Sequence, residues 1–427
     1  MTLAARMLYN ILLPVFCLIA GPGWILRMAR RGGLGPRLWE RLGCYDRPPE
    51  FESSGGVYVH AVSVGEVMMA LKLIDAWRRH DPEEQFVLAA TTSTGFQLAE
   101  AKVPEGVRVI YSPVDFPILI GRLIRRFEPR LIVLVDSELW PNLLFAAERR
   151  QIPVALINAR LSPRSARRYA RFKAVTGPML GRLKLVCAQA GEHAELWREI
   201  GVRRDAVEVT GSVKFDADET GAGTKREEFA AMLKAFGGGR PIVLGASTHA
   251  GEEAMVARAV RTVPGALAVV LPRHAERRHE VKRDLEQAGF EVVLRSGFRK
   301  PEEASGAVFV VDSTGELRDW TAHADVVVIG KSLLGMGGQN PAEAIEAKVP
   351  VVCGRSMGNF EPLISQLRAA EAVRTVDDET ALGEAIGDVL GHARLRTEMI
   401  RDADRILRTH NGATARTLVL LLGLAPR

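Results

Sequence analysis

The stretch Gly330–Glu343 reads Gly-Lys-Ser-Leu-Leu-Gly-Met-Gly-Gly-Gln-Asn-Pro-Ala-Glu and follows directly on the apolar run Val326–Ile329. The run predicts a buried strand, and the glycines after it allow the backbone to approach a ligand closely. Pro341 suits the first turn of a helix, where its missing N–H costs nothing. The N–H groups and positive dipole of that turn favour an anion such as a phosphate, and Glu343 can accept hydrogen bonds from sugar hydroxyls. The pattern predicts a ligand-binding turn, although an ordinary glycine-rich connection has the same composition.

Short apolar runs, most of them rich in β-branched residues, recur on both sides of this stretch with helical segments between them. In the first half they are Val57–Ala61, Phe86–Thr91, Val107–Tyr111, Leu131–Asp136, Val154–Asn158, Leu183–Ala188 and Val207–Thr210. In the second half they are Ile242–Gly245, Leu267–Leu271, Glu291–Leu294, Val308–Asp312, Val326–Ile329 and Val351–Cys353. Strands that alternate with helices predict an α/β fold with parallel sheets covered on both faces.

A polar, glycine-bearing segment between Asp216 and Arg240 separates the two series. We expect two doubly wound, Rossmann-like domains with a ligand cleft between them, at the carboxyl ends of the strands. The predicted organisation is an N-terminal anchor helix at 1–30, a first domain at 31–215, a linker at 216–240, a second domain at 241–400 and a C-terminal helix at 401–427.

The composition of the 427 residues, 47% hydrophobic and 25% charged, is that of a globular protein of two or three domains. A net charge of +6 favours anionic partners, such as phosphates, nucleotides or an acidic membrane surface. No basic run is interleaved with aromatic residues and no zinc-finger spacing occurs, so we expect no nucleic-acid partner. The four cysteines are scattered without a Cys-x-x-Cys pair, which indicates a reducing compartment and no metal cluster.

Between Arg6 and Arg27 the chain carries no charged residue. At about 1.5 Å per residue, a helix of this length can just cross a hydrocarbon layer of about 30 Å. Pro14 and the Gly21–Gly23 segment weaken it, and a signal peptide or a buried soluble helix are alternatives. Arginines crowd its C-terminal flank, at Arg27, Arg30, Arg31, Arg37 and Arg41. By the positive-inside rule that flank is cytoplasmic, and we expect an uncleaved anchor or an interfacial helix.

Polar clusters follow four strands of the second half, at Ser247–His249, Pro272–His274, Ser313–Glu316 and the glycine-rich stretch. Arg273 can pair with a phosphate or carboxylate. Thr314, Gly315, Glu316 and Asn340–Glu343 can hold a ribose and a base. Polar residues often end strands without a function, but four clusters at corresponding ends favour a binding site.

The first half offers further candidates, each with a structural alternative. His60 lies within a strand that continues into Ser63, Gly65 and Glu66, and more often such a histidine belongs to the core. Asp136 and Glu138 follow another strand, where they can simply cap a helix. Glu40 stands between Arg37 and Arg41, where a solvated ion pair is the usual reading, and Lys214 can be an ordinary linker lysine. Asp216-Ala217-Asp218 resembles a metal-binding pair, but no strand leads into it, so we expect no metal site.

Seven motifs in order resemble those of the 3-deoxy-D-manno-octulosonic acid (Kdo) transferases of lipopolysaccharide synthesis. They are Leu38-Trp39-Glu40-Arg41-Leu42-Gly43, His60-Ala61-Val62-Ser63-Val64-Gly65-Glu66, Ser137-Glu138-Leu139-Trp140-Pro141-Asn142, Asn158-Ala159-Arg160-Leu161-Ser162, Gly211-Ser212-Val213-Lys214-Phe215-Asp216, Pro272-Arg273-His274 and Gly337-Gly338-Gln339-Asn340-Pro341-Ala342-Glu343. The resemblance runs from the anchor to at least Phe360.

This resemblance implies an inverting, metal-independent GT-B glycosyltransferase that needs no cofactor. It implies transfer of Kdo from CMP-Kdo to a lipid A precursor (lipid IVA) on the cytoplasmic face of the bacterial inner membrane. Glu40 would be the general base, and Asp136 and Lys214 would stabilise the transition state. CMP would contact Pro272, Arg273, Thr314, Gly315, Glu316, Asn340, Pro341, Ala342 and Glu343. The acceptor or sugar would contact His60, Ser63, Gly65 and Glu66.

The sequence departs from the family pattern at three positions. Asp136 replaces an expected glutamate and shortens the side chain by one methylene, Lys331 replaces a usual glycine, and Arg355 replaces a common proline. Three alternatives stay open: a UDP-sugar epimerase, an enzyme like lipid A disaccharide synthase, and a membrane-tethered sugar-nucleotide binder without catalytic activity.

Overall fold

A computed structural model describes residues 3–30, 35–46, 55–216, 223–298 and 306–424. The chain divides into two compact units, one formed by Met1–Asp216 with His410–Arg427 and the other by Ala217–Thr409. The C-terminal segment therefore returns to the first unit. The boundary at 400/401 drawn from the sequence falls inside a helix of the second unit, because that helix continues to Arg408 before the chain returns.

The first unit begins with α1 (Leu3–Arg30) and a 3-10 helix (Pro36–Leu42), followed by alternating strands and helices. These are β1 (Val57–Ala61), α2 (Val64–His80), β2 (Phe86–Ala90), α3 (Ser93–Lys102), β3 (Val107–Tyr111), α4 (Pro117–Phe127), β4 (Leu131–Val135), α5 (Pro141–Arg149), β5 (Val154–Ala159), α6 (Pro163–Arg171), α7 (Lys173–Leu180), β6 (Leu185–Ala188), α8 (Gly191–Glu199) and β7 (Val207–Val209). All seven strands are parallel, in the order β3-β2-β1-β4-β5-β6-β7. The central strands are buried on both faces, as continuous apolar runs predict.

The second unit repeats this architecture. Its elements are α9 (Glu227–Gly237), β8 (Ile242–Thr248), α10 (Glu252–Arg261), β9 (Leu267–Pro272), α11 (Arg278–Gln287), β10 (Glu291–Leu294), β11 (Ala307–Val310), α12 (Leu317–Thr321), β12 (Val326–Ile329), α13 (Ala342–Glu346), β13 (Val351–Gly354), α14 (Leu363–Ala369), β14 (Arg374–Val376), α15 (Glu379–Gly391) and α16 (Ala393–Arg408). The parallel strand order is β10-β11-β9-β8-β12-β13-β14. Helix α17 (Ala413–Leu424) then packs on α2 of the first unit, where Leu418 and Leu421 join the core.

The prediction of two doubly wound α/β domains is confirmed. All thirteen predicted strands are present, twelve of them within two residues at either end, whereas β8 extends three residues beyond the predicted end at Gly245. The sequence analysis missed β14. This strand has only three residues at the edge of the sheet, and just Val376 of the three is buried, so it leaves no apolar run to recognise.

Helix α1 lies along the first unit and contacts it near both ends. The Tyr9 hydroxyl donates to Asp115 Oδ2 at 3.0 Å, and the Asn10 side chain accepts from Asn142 Nδ2 at 2.7 Å. Near the other end the Arg41 guanidinium lies 4.9 Å from the centre of the Trp24 ring. The opposite face is exposed and apolar, with side chains such as Ile19 at 77% exposure. The segment Arg6–Trp24 is long and apolar enough to cross a membrane, a test that signal sequences and some core helices also pass.

Candidate active site

Glu40 lies in the 3-10 helix that packs on the end of β3, and its carboxylate is held at both oxygens. Oε2 accepts from the Tyr111 backbone N–H at 2.8 Å, and Oε1 accepts from Arg37 Nε at 2.8 Å. Only 3% of the residue is exposed, yet it lines a cavity of about 320 Å³ together with Trp39 and Tyr45. Burial raises the pKa of Glu40, and the bonds from Tyr111 and Arg37 oppose this. A carboxylate of raised pKa beside an open cavity suits a general base.

A second cluster of charged side chains forms at the carboxyl ends of β4 and β5. Arg160 Nη2 lies 3.8 Å from Asp136 Oδ2, and Gln189 Nε2 lies 3.5 Å from Asp136 Oδ1. Asp136 has a φ of 66°, a left-handed conformation that aspartate tolerates better than most residues. The backbone therefore turns directly after β4, which places the Asp136 carboxylate at the carboxyl end of the sheet.

Lys214 belongs to the same cluster because Asn158 fixes the segment before it. Asn158 Oδ1 accepts from Ser212 Oγ at 3.0 Å and from the Val213 N–H at 3.1 Å, which ties this segment to the end of β5. Asn158 has a φ of 51°, and this left-handed turn presents its side chain to both donors. The structure thus brings Asp136 and Lys214 close enough for their charges to interact. Their action on one transition state stays a prediction.

The protein environment shifts the pKa values of this cluster toward neutrality. Burial and, to a smaller extent, the charge of Arg160 lower the pKa of Lys214 to about 8, against the opposing charge of Asp136. Burial raises the pKa of Asp136, whereas Arg160 and Lys214 lower it. Burial, followed by the charges of Glu66 and Asp136, raises the pKa of Glu138 to about 7. Such shifts are common where proteins handle protons or developing charge.

Glu40 and Asp136 both lie at the carboxyl end of the first sheet but are not in contact with each other. Glu40 is bonded to the end of β3 and Asp136 follows β4, and β2 and β1 lie between those strands. Three inter-strand spacings of about 4.8 Å separate the two backbones by about 14 Å.

The residues predicted to bind an acceptor sugar have structural partners here. Ser63 is the N-cap of α2, and its Oγ accepts from the Glu66 N–H at 3.3 Å. Glu66 in turn accepts from Ser63 Oγ and from the Val62 N–H. These reciprocal bonds form a capping-box arrangement at the start of α2, and Gly65 lies in the first turn of that helix. His60 is 1% exposed inside β1, and burial lowers its pKa to about 4. Their role in sugar binding stays a prediction.

In the second unit the glycine-rich stretch is held by one buried carboxylate, which the sequence analysis did not single out. Glu252, at the start of α10, accepts from the N–H groups of Lys331, Leu333 and Leu334 at 2.6, 3.1 and 3.2 Å. It also accepts from the His249 N–H at 2.9 Å and is fully buried. Four donors on one side chain fix the loop against the end of β8.

Packing within the second unit also requires glycine at positions of this loop. A Cβ on Gly330 would collide with the Ser247 carbonyl, and one on Gly337 would collide with the Asn359 side chain. Close packing within the unit therefore explains these glycines, in addition to the approach of a ligand expected from the sequence.

The other predicted CMP contacts lie at the ends of β9, β11 and β12. Arg273 is exposed just beyond Pro272, and its N–H donates to the Thr248 carbonyl at 3.0 Å. Glu316 accepts from Arg295 at 2.8 Å and from Ser313, next to the exposed Thr314 and to Gly315 with its φ of 82°.

The turn at Asn340 caps the short helix α13. Asn340 Oδ1 accepts from the Ala342 N–H at 3.1 Å, and Pro341 precedes a helix of only five residues that contains Glu343. One of the N–H groups expected to meet an anion is thus already bonded within the protein. Among the residues that the structure describes, no group of three or more His, Cys, Asp or Glu side chains could hold a metal ion.

Sequence reasoning assigned no role to Asn158, Arg160, Gln189 and Glu252. Asn158 and Arg160 belong to one of the seven motifs and follow an apolar run, so their positions in the sequence could have indicated that they lie at the carboxyl end of a strand, near the site. Gln189 and Glu252 act through the three-dimensional arrangement of loops, which no local pattern reveals.

The fold defines a class: two-domain proteins with two doubly wound α/β units of the GT-B type. Solved structures share the fold. Anabaena HepE in complex with UDP covers 86% of this chain and 100% of its own, with a TM-score of 0.58 and 14% identity. A putative UDP-N-acetylglucosamine 2-epimerase from Listeria monocytogenes covers 86% and 96%, with a TM-score of 0.57 and 14% identity. At this identity the likeness concerns the GT-B-type fold alone.

Sequence comparison narrows the class to one family. A family model described as 3-deoxy-D-manno-octulosonic-acid transferase (kdotransferase) matches residues 36–217. The 3-deoxy-D-manno-octulosonic acid transferase of Haemophilus influenzae is 32% identical over 394 residues, 90% of each chain. That of Bordetella pertussis is 33% identical over 415 residues, 92% of this chain and 94% of its own. The chain belongs to the Kdo transferase family and is a glycosyltransferase of lipopolysaccharide biosynthesis.

Proposed function

We propose that this enzyme transfers Kdo from CMP-Kdo to a hydroxyl of a lipid A precursor (lipid IVA), with inversion at the anomeric carbon. The observation that carries the proposal is the buried Glu40 carboxylate, whose pKa is raised by burial and which lines an open cavity. Such a group takes a proton from a sugar hydroxyl more readily than an ordinary glutamate does at neutral pH.

In the proposed reaction the deprotonated hydroxyl oxygen attacks the anomeric carbon of Kdo as the bond to the CMP phosphate breaks. The transition state resembles an oxocarbenium ion, as in glycoside hydrolysis. The leaving phosphate gains negative charge, which Lys214 and Arg273 neutralise. Asp136 supports Lys214 in its charged form, because its own charge raises the pKa of that lysine. Because these cations can carry the phosphate charge, we propose that the reaction needs neither metal nor cofactor.

The second unit would hold the CMP moiety. Arg273 after Pro272 would face the phosphate, and the turns at Thr314–Glu316 and Asn340–Glu343 would hold ribose and base. Support for this comes from the fixed backbone of the glycine-rich loop, which Glu252 bonds at three N–H groups while it also bonds the His249 N–H after β8. A prebuilt loop loses little conformational entropy when a nucleotide binds. On the acceptor side, the proposed contacts are Ser63, Gly65 and Glu66 after the carboxyl end of β1, with His60 buried within that strand.

We further propose that α1 lies in the interface of the inner membrane, with the catalytic units on its cytoplasmic face. The helix contacts its own unit through Tyr9, Asn10 and Trp24, near both ends, while its other face is apolar and exposed. A helix that is attached to its own unit near both ends can enter the interface with its exposed face, whereas a spanning helix would need lipid around it. The arginines after it suit an anionic membrane surface.

The direct test mixes the purified enzyme with CMP-Kdo, generated in situ, and a tetraacylated lipid A precursor. We expect CMP release and a gain in acceptor mass of one or more Kdo units, both dependent on the two substrates. The mass gain also counts the units added. Binding of CMP without any mass gain would refute the proposed transfer and leave only sugar-nucleotide binding.

A further inference from the structure

The segment that carries Lys214, residues 210–216, is bonded to the C-terminal segment, residues 410–424. We call them the lysine segment and the return segment. Both belong to the first unit, although the second unit lies between them in the sequence. The proposed mechanism gives the return segment no role, yet its bonds bear directly on where the lysine lies.

Before Lys214, the return segment holds two residues of the lysine segment. Arg416 donates to the Thr210 carbonyl from Nε at 3.0 Å and from Nη2 at 2.6 Å. His410 Nδ1 accepts from the Ser212 N–H at 3.0 Å. Thr210 and Ser212 are each 1% exposed, so these bonds are shielded from water and fix the backbone firmly.

After Lys214, the carboxylate of Asp216 holds the start of α17. Its Oδ1 accepts from the Gly412 N–H at 2.6 Å, and its Oδ2 accepts from the Thr414 N–H at 2.7 Å. A helix leaves such N–H groups at its start without an internal partner, and its dipole favours a negative charge there. Lys72 of α2 also donates to the Asp216 carbonyl at 2.6 Å. Asp216 therefore joins the lysine segment to two helices.

The two neighbours of Lys214 in the chain are anchored in the core. Val213 is 1% exposed and belongs to the same core cluster as Leu421 of α17. Phe215 is 2% exposed, and its ring centre lies 5.4 Å from that of His410. The return segment thus fixes the backbone on both sides of the lysine.

We propose that Asp216 is a positioning residue for Lys214. By binding the return segment, it holds the lysine in the cluster with Asp136 and Arg160. Without its carboxylate, the lysine segment loses its side-chain bonds to α17, and the lysine can move out of the cluster into water. That the position of Lys214 matters for transfer rests on the proposed function, whereas its placement by Asp216 does not.

The test compares the full-length variants Asp216→Ala and Asp378→Ala. Asp378 caps α15 in the second unit, where its side chain accepts from the Ala381 N–H at 2.9 Å, so both variants lose a carboxylate at a helix start. Asp216→Asn is the conservative variant, because it keeps one acceptor oxygen. The pKa of Lys214 is measured by competitive acetylation over a range of pH, with mass spectrometry of the peptide that contains it. Thermal unfolding is measured in parallel.

In Asp216→Ala we expect the pKa of Lys214 to rise from about 8 toward its ordinary value of 10.5. Burial and Arg160 lower this pKa more than Asp136 raises it, so a lysine that leaves the cluster regains the ordinary value. Asp378→Ala should leave the pKa near 8, and Asp216→Asn should give an intermediate value. The unfolding temperature should fall in both alanine variants. An unchanged pKa in Asp216→Ala, or an equal shift in Asp378→Ala, would overturn the proposal.

Kinetics test whether Asp216 acts through the lysine. We expect kcat of Asp216→Ala to fall about tenfold to a hundredfold, because small misplacements of a catalytic group are costly, with KM for the donor nearly unchanged. The double variant Asp216→Ala/Lys214→Met should be no slower than Lys214→Met alone, because two residues that act as a unit do not contribute additively. Additive losses would show that Asp216 acts independently of Lys214 and would overturn its assignment as a positioning residue.

Failure of the proposed transfer is distinguishable from failure of this inference. If the parent enzyme transfers no sugar, or if Lys214→Met keeps the kcat of the parent, the proposed role of the lysine fails. The acetylation profile needs no turnover and still measures where the lysine lies. A pKa shift confined to the Asp216 variants then supports the positioning, and its absence overturns it.

Discussion

The carboxyl ends of the two parallel sheets differ in what they present. In the first unit they carry the ionisable side chains Glu40, Asp136 and Lys214, whose pKa values are all shifted by burial. Asp136 and Lys214 also shift the pKa values of each other. In the second unit they carry a backbone loop that Glu252 holds at three N–H groups. One fold thus supplies an end suited to proton and charge transfer and an end suited to holding a nucleotide. Substitutions in the first unit should lower kcat, and those in the second should raise KM for the donor.

The largest effect is expected for Glu40→Gln. The amide cannot accept the hydroxyl proton, so kcat should fall about 10²- to 10⁴-fold while KM for the donor changes little. Glu100→Gln is a matched control, because Glu100 binds the same Arg37, at 2.6 Å from Nη1, but is exposed. Steady-state kinetics with both substrates distinguishes the variants. Parent-like kcat in Glu40→Gln would remove this residue from the mechanism.

Next in size is the effect of Lys214→Met, for which we expect kcat to fall about 10²- to 10³-fold because the leaving phosphate loses a cation. The pKa of Lys214 is lowered to about 8, so its charge, and with it kcat/KM, should decline as pH rises above about 8. Lys214→Arg keeps the charge at all these pH values and should move that decline upward. An unchanged basic limb in Lys214→Arg would show that another group causes it.

Most of the fold could be predicted from the sequence because both sheets are parallel. Their strands are buried on both faces and form apolar runs such as Leu131–Val135, which differ plainly from the polar connections. β14 gives no such signal, since it is a three-residue edge strand. The return of α17 to the first unit could not be predicted either, because the amphipathic pattern of a helix does not show on which apolar face it packs.

Candidate site residues could be predicted where a polar residue directly follows an apolar run, as Asp136 follows β4. Their contacts could not. Arg160 comes close to Asp136 only because β4 and β5 are neighbours, and Asn158 reaches Ser212 across more than fifty residues of chain. Glu252 lies in the first turn of α10, where acidic residues are common, so nothing local distinguishes it from an ordinary helix start.

Glu252→Gln tests the second half of the comparison. The amide offers one acceptor oxygen where the carboxylate offers two, so some N–H groups of the loop lose their partner. We expect KM for CMP-Kdo to rise about tenfold with kcat nearly unchanged, and the free energy of unfolding to fall by about 2–3 kcal/mol.

Glu253→Gln is the matched control for this substitution. Glu253 is buried to a similar degree and binds Arg277 at 2.9 Å and Thr248 at 3.0 Å, but its bonds do not reach the glycine-rich loop. It should lower stability, as Glu252→Gln does, and leave KM for the donor unchanged. An equal rise of KM in both variants would mean that lost stability, and not the position of the loop, weakens donor binding.

The smallest effect that we expect is a loss of stability in acid, which the buried His410 should cause in the first unit. His410 Nδ1 accepts from the Ser212 N–H at 3.0 Å, and burial, with Arg416 adding to it and Asp216 opposing it, lowers its pKa to about 4. The unfolded chain, with a histidine pKa near 6.5, binds the proton more readily. Stability is therefore lost as pH falls from about 6.5 to about 4, by up to about 3 kcal/mol.

Hydrogen exchange at pH 5 should show protection falling in peptides of α17 before it falls in those of β8. His410→Gln should reduce that difference, because glutamine keeps an acceptor and takes up no proton. Equal loss of protection in both units at pH 5 would mean that the acid response does not arise in the first unit.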